Sequence, residues 1–210
     1  MTDHGTRPPG LRERKKQRMY ESVSETAIRL FLERGFDAVS VAEVAAAAEI
    51  SKPTLFRYFP AKEDLVLHRI ADHEREAARV VEAAPDVPPL HALRRHFLER
   101  LAAGDPVTGL NDHPQVVAFH SLVYGTPSLV ARMYRHLERS EAALAEALGG
   151  DLESRLAAGQ VVAAQRILAE ENFRRVAAGE PVDAVRPEAV AAAERAFGLL
   201  EEGLRRFAGA

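Results

Sequence analysis

The chain contains no cysteine, which excludes disulfides and thiolate chemistry and fits a reducing cytoplasm as its expected location. It also lacks any run of 18 apolar residues, and its basic N-terminus lacks the apolar stretch of a signal peptide, so no membrane-spanning helix or leader is expected. Catalytic signatures are missing too: there is no Gly-rich phosphate loop, nucleophile elbow or pair of carboxylates in a plausible cleft context. Acidic pairs such as Glu63-Asp64 and Glu201-Glu202 read as helix termini or solvated faces. An enzyme is therefore not expected, and no cofactor is implied. The eight histidines do not make a metal site. His91 and His96, or His68 and His73, are five apart and lie on different faces of a helix. His113 and His120 could share a face, but no third ligand or HExxH spacing accompanies them. Runs of β-branched residues are scarce, while Ala, Leu, Arg and Glu abound, which predicts an all-α protein. With 210 residues and 47% hydrophobic content, it can bury one or two cores.

What is present concentrates in residues 40–62, SVAEVAAAAEISKPTLFRYFPAK. Ser40 and Glu43 have the spacing of a capping box, and Val41, Val44, Ala45 and Ala48 then recur at helical spacing. Ile50 falls in a tight turn. Ser51 is a natural N-cap for a second helix, with Pro53 in its first turn, where a missing amide hydrogen costs nothing. Leu55 and Phe59, four apart, should face inward. Lys52, Thr54, Arg57 and Tyr58 are left facing outward, the residue types that reach phosphates and base edges. This is the layout of a helix-turn-helix spanning 40–59, whose second helix enters the major groove of DNA. The alternative is a pair of packed helices without a DNA role, either in a helical interaction module or in an enzyme.

Together with AIRLFLERGFDAVSV upstream and TLFRYFPAKEDL, this stretch, from about Val23 to Leu67, resembles the DNA-binding domain of the TetR family of transcriptional repressors. The resemblance implies that Lys52, Pro53 and Thr54 face bases, and that Ser51 opens the recognition helix. It places Phe56, Arg57, Tyr58 and Lys62 along the phosphates, with Ser40 and Val41 touching DNA at its edge. Two departures stand out. Phe56 stands where the family usually has Tyr, which removes a hydroxyl–phosphate bond. Glu49 stands where the turn usually has Gly, and a non-Gly residue at positive φ costs on the order of 1 kcal/mol. Either the turn takes a different path or it carries that strain.

Charge follows the same division. The whole chain has 28 Lys+Arg against 31 Asp+Glu, yet its first 62 residues hold 11 basic and 8 acidic side chains. Affinity for phosphates is local, so the asymmetry matters more than the total. Arg7, Arg12, Arg14, Lys15, Lys16 and Arg18 make residues 1–18 a basic arm, either a solvated tail or a segment that folds along a groove.

Punctuation divides the chain into about nine helices and two domains, 1–62 for DNA binding and 63–210 for effector binding and dimerisation. Helix one should run from about Glu13 to Arg34, with Gly35 as its stop. A long fourth helix is expected from about Lys62 to Ala83, ended by Pro85, Pro88 and Pro89. Five more follow, the last from Pro187 to Phe207. In it Ala189, Ala193, Ala196, Phe197, Leu200 and Leu204 repeat at three and four, as either a dimer surface or a core-facing stripe. Two-fold symmetry would let paired motifs read an inverted repeat, and the resemblance implies that the last two helices pair into a four-helix bundle. It also places a small, apolar effector among the middle helices. The candidates there are His96, Phe97, Phe119, His120, Tyr124, Met133, Gln165 and Phe173, with Tyr134 and Asn172 beside them.

Overall fold

The computed structural model describes residues 11–71 and 73–209, with side chains from residue 18 onward. The expectation for Arg7 and the start of the basic arm lies outside the described residues, as do the side chains of Arg12, Arg14, Lys15 and Lys16. The described residues form α-helices and one 3-10 turn, with no strand among them. The chain divides into two compact units, one ending at His68 and one running from Arg69.

In the first unit α1 (Leu11–Arg34) is followed by α2 (Val41–Ala47), α3 (Lys52–Tyr58) and the start of α4 (Asp64–Ala71). Val23, Ala27 and Phe31 of α1 are buried, as are Phe36, Val39, Val44, Leu55, Phe59, Leu65 and Val66. Two of these, Phe31 and Phe36, meet with ring centroids 4.9 Å apart. A buried hydroxyl is satisfied within this core: Ser24 Oγ donates to the Leu65 carbonyl at 2.8 Å.

The second unit contains α5 (Glu76–Glu82), α6 (Pro89–Ala103), the 3-10 turn (Pro106–Thr108), α7 (Pro114–Gly125), α8 (Pro127–Ala147), α9 (Leu152–Ala177), α10 (Val182–Gly203) and α11 (Arg205–Ala208). One core joins them, built on Leu90, Leu93, Phe97 and Leu101 of α6, Ala157, Val161 and Val176 of α9, and Val185, Ala193 and Phe197 of α10.

Among the described residues eleven α-helices stand where about nine are expected, because two expected helices are each divided. The long fourth helix breaks into α4 and α5. Around the break the backbone shifts to tighter bonds, His73 N to Ile70 O and Glu76 N to His73 O. Two carboxylates there are held by other helices. Glu76 accepts from His73 Nδ1 at 2.6 Å and from His96 Nε2 at 2.8 Å, and pairs with Arg100. Glu74 accepts from Arg139 Nε at 2.9 Å and from His136 Nδ1. The last helix starts earlier than expected, at Val182, and carries Pro187 inside it; it ends at Gly203 before the short α11.

Of the stripe read as either a dimer surface or a core-facing stripe, Ala189, Ala193, Phe197 and Leu200 are buried in the core of one chain, while Ala196 and Leu204 are half-buried. A different face of the same two helices is exposed: Leu152, Leu156 and Ile167 on α9, and Leu199 on α10.

Candidate nucleic-acid interface

Residues 34–62 build the candidate surface from capping outward. Both halves of the capping box are made. Ser40 Oγ accepts from the Glu43 amide at 3.2 Å, and the Ser40 amide donates to Glu43 Oε2 at 2.8 Å. Arg34 Nη2 adds a 2.7 Å bond to the other Glu43 oxygen. These contacts, the Ser40 amide foremost, hold the Glu43 carboxyl down at about 2.

The turn after α2 is closed by the bond pattern of a left-handed helix cap. Ile50 N donates to Ala45 O and Glu49 N to Ala46 O. That pattern requires a left-handed residue, and Glu49 supplies it at φ 55, the one non-Gly residue at positive φ among those described. The chain therefore keeps the usual turn path and carries the strain.

Helix α3 opens on Ser51, whose Oγ accepts from the Thr54 amide at 3.2 Å and lies 2.7 Å from the Thr54 hydroxyl. Pro53 sits in the first turn. Leu55 and Phe59 are buried at 1% exposure each, which anchors the helix by one face and fixes what the other presents. Lys52, Pro53, Phe56 and Arg57 are exposed, with Ser40 and Ser51 exposed beside them, while Val41, Thr54 and Tyr58 are half-buried. The Lys52 ammonium lies 5.8 Å from the Phe56 ring centroid, so cation and ring form one surface.

Tyr58 is less free than its spacing suggests. Its ring meets Tyr20 edge to face at 5.1 Å, and the Arg57 guanidinium lies 5.2 Å above it. Tyr20 also packs edge to face against Phe59 and stacks on His68 at 4.8 Å. The sequence reading passed over Tyr20, although it stands three and four residues before Val23 and Ser24 on the same inward stripe of α1. Arg34, which braces the capping box, was passed over as well. Lys62 precedes α4 instead of starting it. Its ammonium donates to the Phe36 carbonyl and lies 4.3 Å from the Phe36 ring, so part of its hydrogen-bonding capacity is committed to the first unit.

The candidate effector residues separate into groups. Phe97 belongs to the core, 6.1 Å from Phe197, and His96 is engaged by Glu76. Met133 is buried on α8, Gln165 is half-buried on α9, and Asn172 is spent on the Thr108 carbonyl at 2.9 Å. Phe119, His120, Tyr124 and Phe173 are brought together as one aromatic cluster.

Comparison with known proteins places this geometry. Residues 24–68 match the family model described as bacterial regulatory proteins, tetR family. The chain is 29% identical over 201 residues to the HTH-type transcriptional regulator TcmR of Streptomyces glaucescens, covering 86% of this chain and 88% of that one. It is 31% identical over 77 residues to the HTH-type transcriptional repressor DhaR of Mycobacterium sp. (strain GP1), covering 35% of this chain and 38% of that one. Among solved structures, a TetR-family regulator from Streptomyces coelicolor shares the fold with a TM-score of 0.53 at 22% identity, covering 92% of this chain and 99% of that one. NalD of Pseudomonas aeruginosa does so with a TM-score of 0.55 at 14% identity, covering 87% of this chain and 97% of that one. The family model covers the helix-turn-helix built above, and the TcmR match and shared fold extend along the helices beyond it. The helix-turn-helix segment thus matches the tetR family of bacterial regulatory proteins, and the chain as a whole is similar to the transcriptional regulator TcmR in sequence and to TetR-family regulators in its all-α fold.

Proposed function

We propose that the protein is a repressor that binds a palindromic operator as a homodimer in the cytoplasm and is released by a small, apolar effector. The observation that carries this reading is the outward face of α3, with Lys52, Pro53, Phe56 and Arg57 exposed while Leu55 and Phe59 lock the helix from behind. Lys52, Pro53 and Thr54 face the bases. The Thr54 hydroxyl is occupied by Ser51, so its methyl is the group that reads, against a thymine methyl. Arg57 and Tyr58 lie along the phosphates with Phe56 beside them, Ser40 and Val41 approach from the start of α2, and Lys62 braces the unit while reaching the backbone.

One such helix reads only a few base pairs, so a two-fold partner is needed for a full site. The exposed stripe Leu152, Leu156 and Ile167 supports the pairing. At about 100° per residue these three fall within about 60° of arc, with Gly159 and Ala163 between them and Leu199 exposed on α10. Large apolar residues separated by small ones suit close helix packing in a four-helix interface. Repression is supported by the relatives' names: DhaR is a repressor, and NalD is the secondary repressor of a multidrug efflux pump. A lipophilic effector is supported by the FadR regulator of Bacillus subtilis, whose structure holds stearoyl-CoA. By linkage the effector binds free protein better than DNA-bound protein, with a coupling of about 1–3 kcal/mol.

The test is selection of binding sites from random duplexes, followed by footprinting and sedimentation. The expected result is a protected inverted repeat with half-sites one helical turn apart or a multiple of that, bound by an even number of chains. Equal retardation of every duplex would sink the reading.

A further inference from the structure

In the second unit, α7 and α9 bring together aromatic rings whose polar atoms have no hydrogen-bond partner among the described residues. Tyr124 and Phe173 stack with centroids 5.4 Å apart and planes at 28°. His120, one turn before Tyr124, meets Phe173 edge to face at 5.1 Å. His120 and Tyr124 are half-buried, yet neither imidazole nitrogen nor the phenol hydroxyl hydrogen-bonds to any described residue. Burial pushes the His120 imidazole pKa down, and burial, with Glu170 nearby, pushes the Tyr124 phenol up to about 12.

Beside them lies an open cavity of about 530 Å³ lined by Tyr124, Glu170, Phe173, Arg174, Ala177 and Ala178. That volume falls within the range of small-molecule sites. Its charges are already matched. Glu170 accepts from Arg166 at 2.8 Å, and Arg174 donates to Glu171 at 2.7 Å. A charged guest would therefore find no free counter-ion and would lose its hydration without return. A flat guest finds ring faces, small alanine walls, and polar groups that each offer a donor and an acceptor.

We propose that this cavity binds an uncharged, planar aromatic small molecule bearing a hydroxyl or carbonyl group. The rings of Tyr124 and Phe173 provide its stacking surface, and the Tyr124 hydroxyl takes the polar substituent. This rests on the reading that the second unit receives an effector, and it names the chemical class of that effector.

The test is calorimetric titration of the full chain with three probes: 2-naphthol, its saturated counterpart 2-decalol, and the anion 2-naphthoate. The expected result is one 2-naphthol per chain, bound at least tenfold tighter than either control. Phe173→Leu, which keeps bulk without the ring, and Tyr124→Phe, which keeps the ring without the hydroxyl, should each weaken 2-naphthol about tenfold while circular dichroism stays unchanged. Absence of 2-naphthol binding, equal affinity for 2-decalol, or binding untouched by both substitutions would overturn the proposal. The regulatory reading is scored separately by DNA retardation. If 2-naphthol binds as expected but leaves operator binding unchanged, the site stands and its role as effector site fails.

Discussion

Arg57 and Glu49 illustrate two ways in which a single residue shapes this surface. Arg57 is exposed, and its guanidinium rests on the Tyr58 ring with no carboxylate holding it among the described residues. A phosphate contact contributes through counterion release and carries no sequence information. Arg57→Ala should weaken binding to all duplexes alike and reduce the slope of log affinity against log salt by about 1, measured by anisotropy titration. Thr54→Ala, by contrast, should relax specificity at one base pair and leave the salt slope intact.

Glu49 acts through the backbone. At φ 55 its side chain is strained, and glycine would relieve that strain while losing some freedom on folding. Glu49→Gly should therefore raise stability by up to about 1 kcal/mol in urea titrations while preserving operator affinity.

Glu43 sets a pH dependence. Its folded pKa lies at about 2, below the ordinary 4.5, because the Ser40 amide and then Arg34 favour the carboxylate. A depressed pKa contributes stability that is present above the unfolded value and lost as pH falls through the folded one. Thermal melts between pH 5 and 2 should show the native protein losing a stability advantage over Glu43→Gln. The two curves should converge near pH 2.

At the scale of elements, helix boundaries divide by cause. Those of α2 and α3 were legible because caps are local: each acts within three residues, Ser40 with Glu43 and Ser51 with Thr54, and their bonds are made as the spacing requires. The α4–α5 break was not legible, because His73, Glu74 and Arg75 are acceptable helix residues. What accompanies the break is a set of partners more than 15 residues away, His96 and Arg100 for Glu76, and His136 and Arg139 for Glu74.

The same holds for the turn at Gly109, which approaches α9 so closely that an added Cβ would collide with the Ala169 carbonyl. Its φ of 71 independently disfavours a side chain. Gly109→Ala should lower the urea midpoint by the equivalent of more than 1 kcal/mol, since backbone cannot yield as a side chain does.

At the scale of the whole molecule, the proposed operator site is one for two chains. Leu156 is 57% exposed on α9, so most of its side chain faces away from the core of the subunit. Leu156→Glu should leave the circular dichroism spectrum unchanged, halve the sedimenting mass, and reduce specific DNA affinity about 100-fold through lost bivalency. Retention of the dimer by this variant would move the interface elsewhere.

Sequence by itself determined what short-range chemistry can encode: an all-α chain, a capped helix-turn-helix with Leu55 and Phe59 inward, and the likeness of residues 24–68 to the tetR family. It left two questions that periodicity cannot answer. A stripe such as Ala189–Ala193–Phe197 repeats identically whether its partner is the same chain or another, and only packing showed it spent on the subunit's own core. Aromatic residues spread from Phe119 to Phe173 become one cluster only when α7 lies against α9, because proximity across 50 residues depends on the path of the chain.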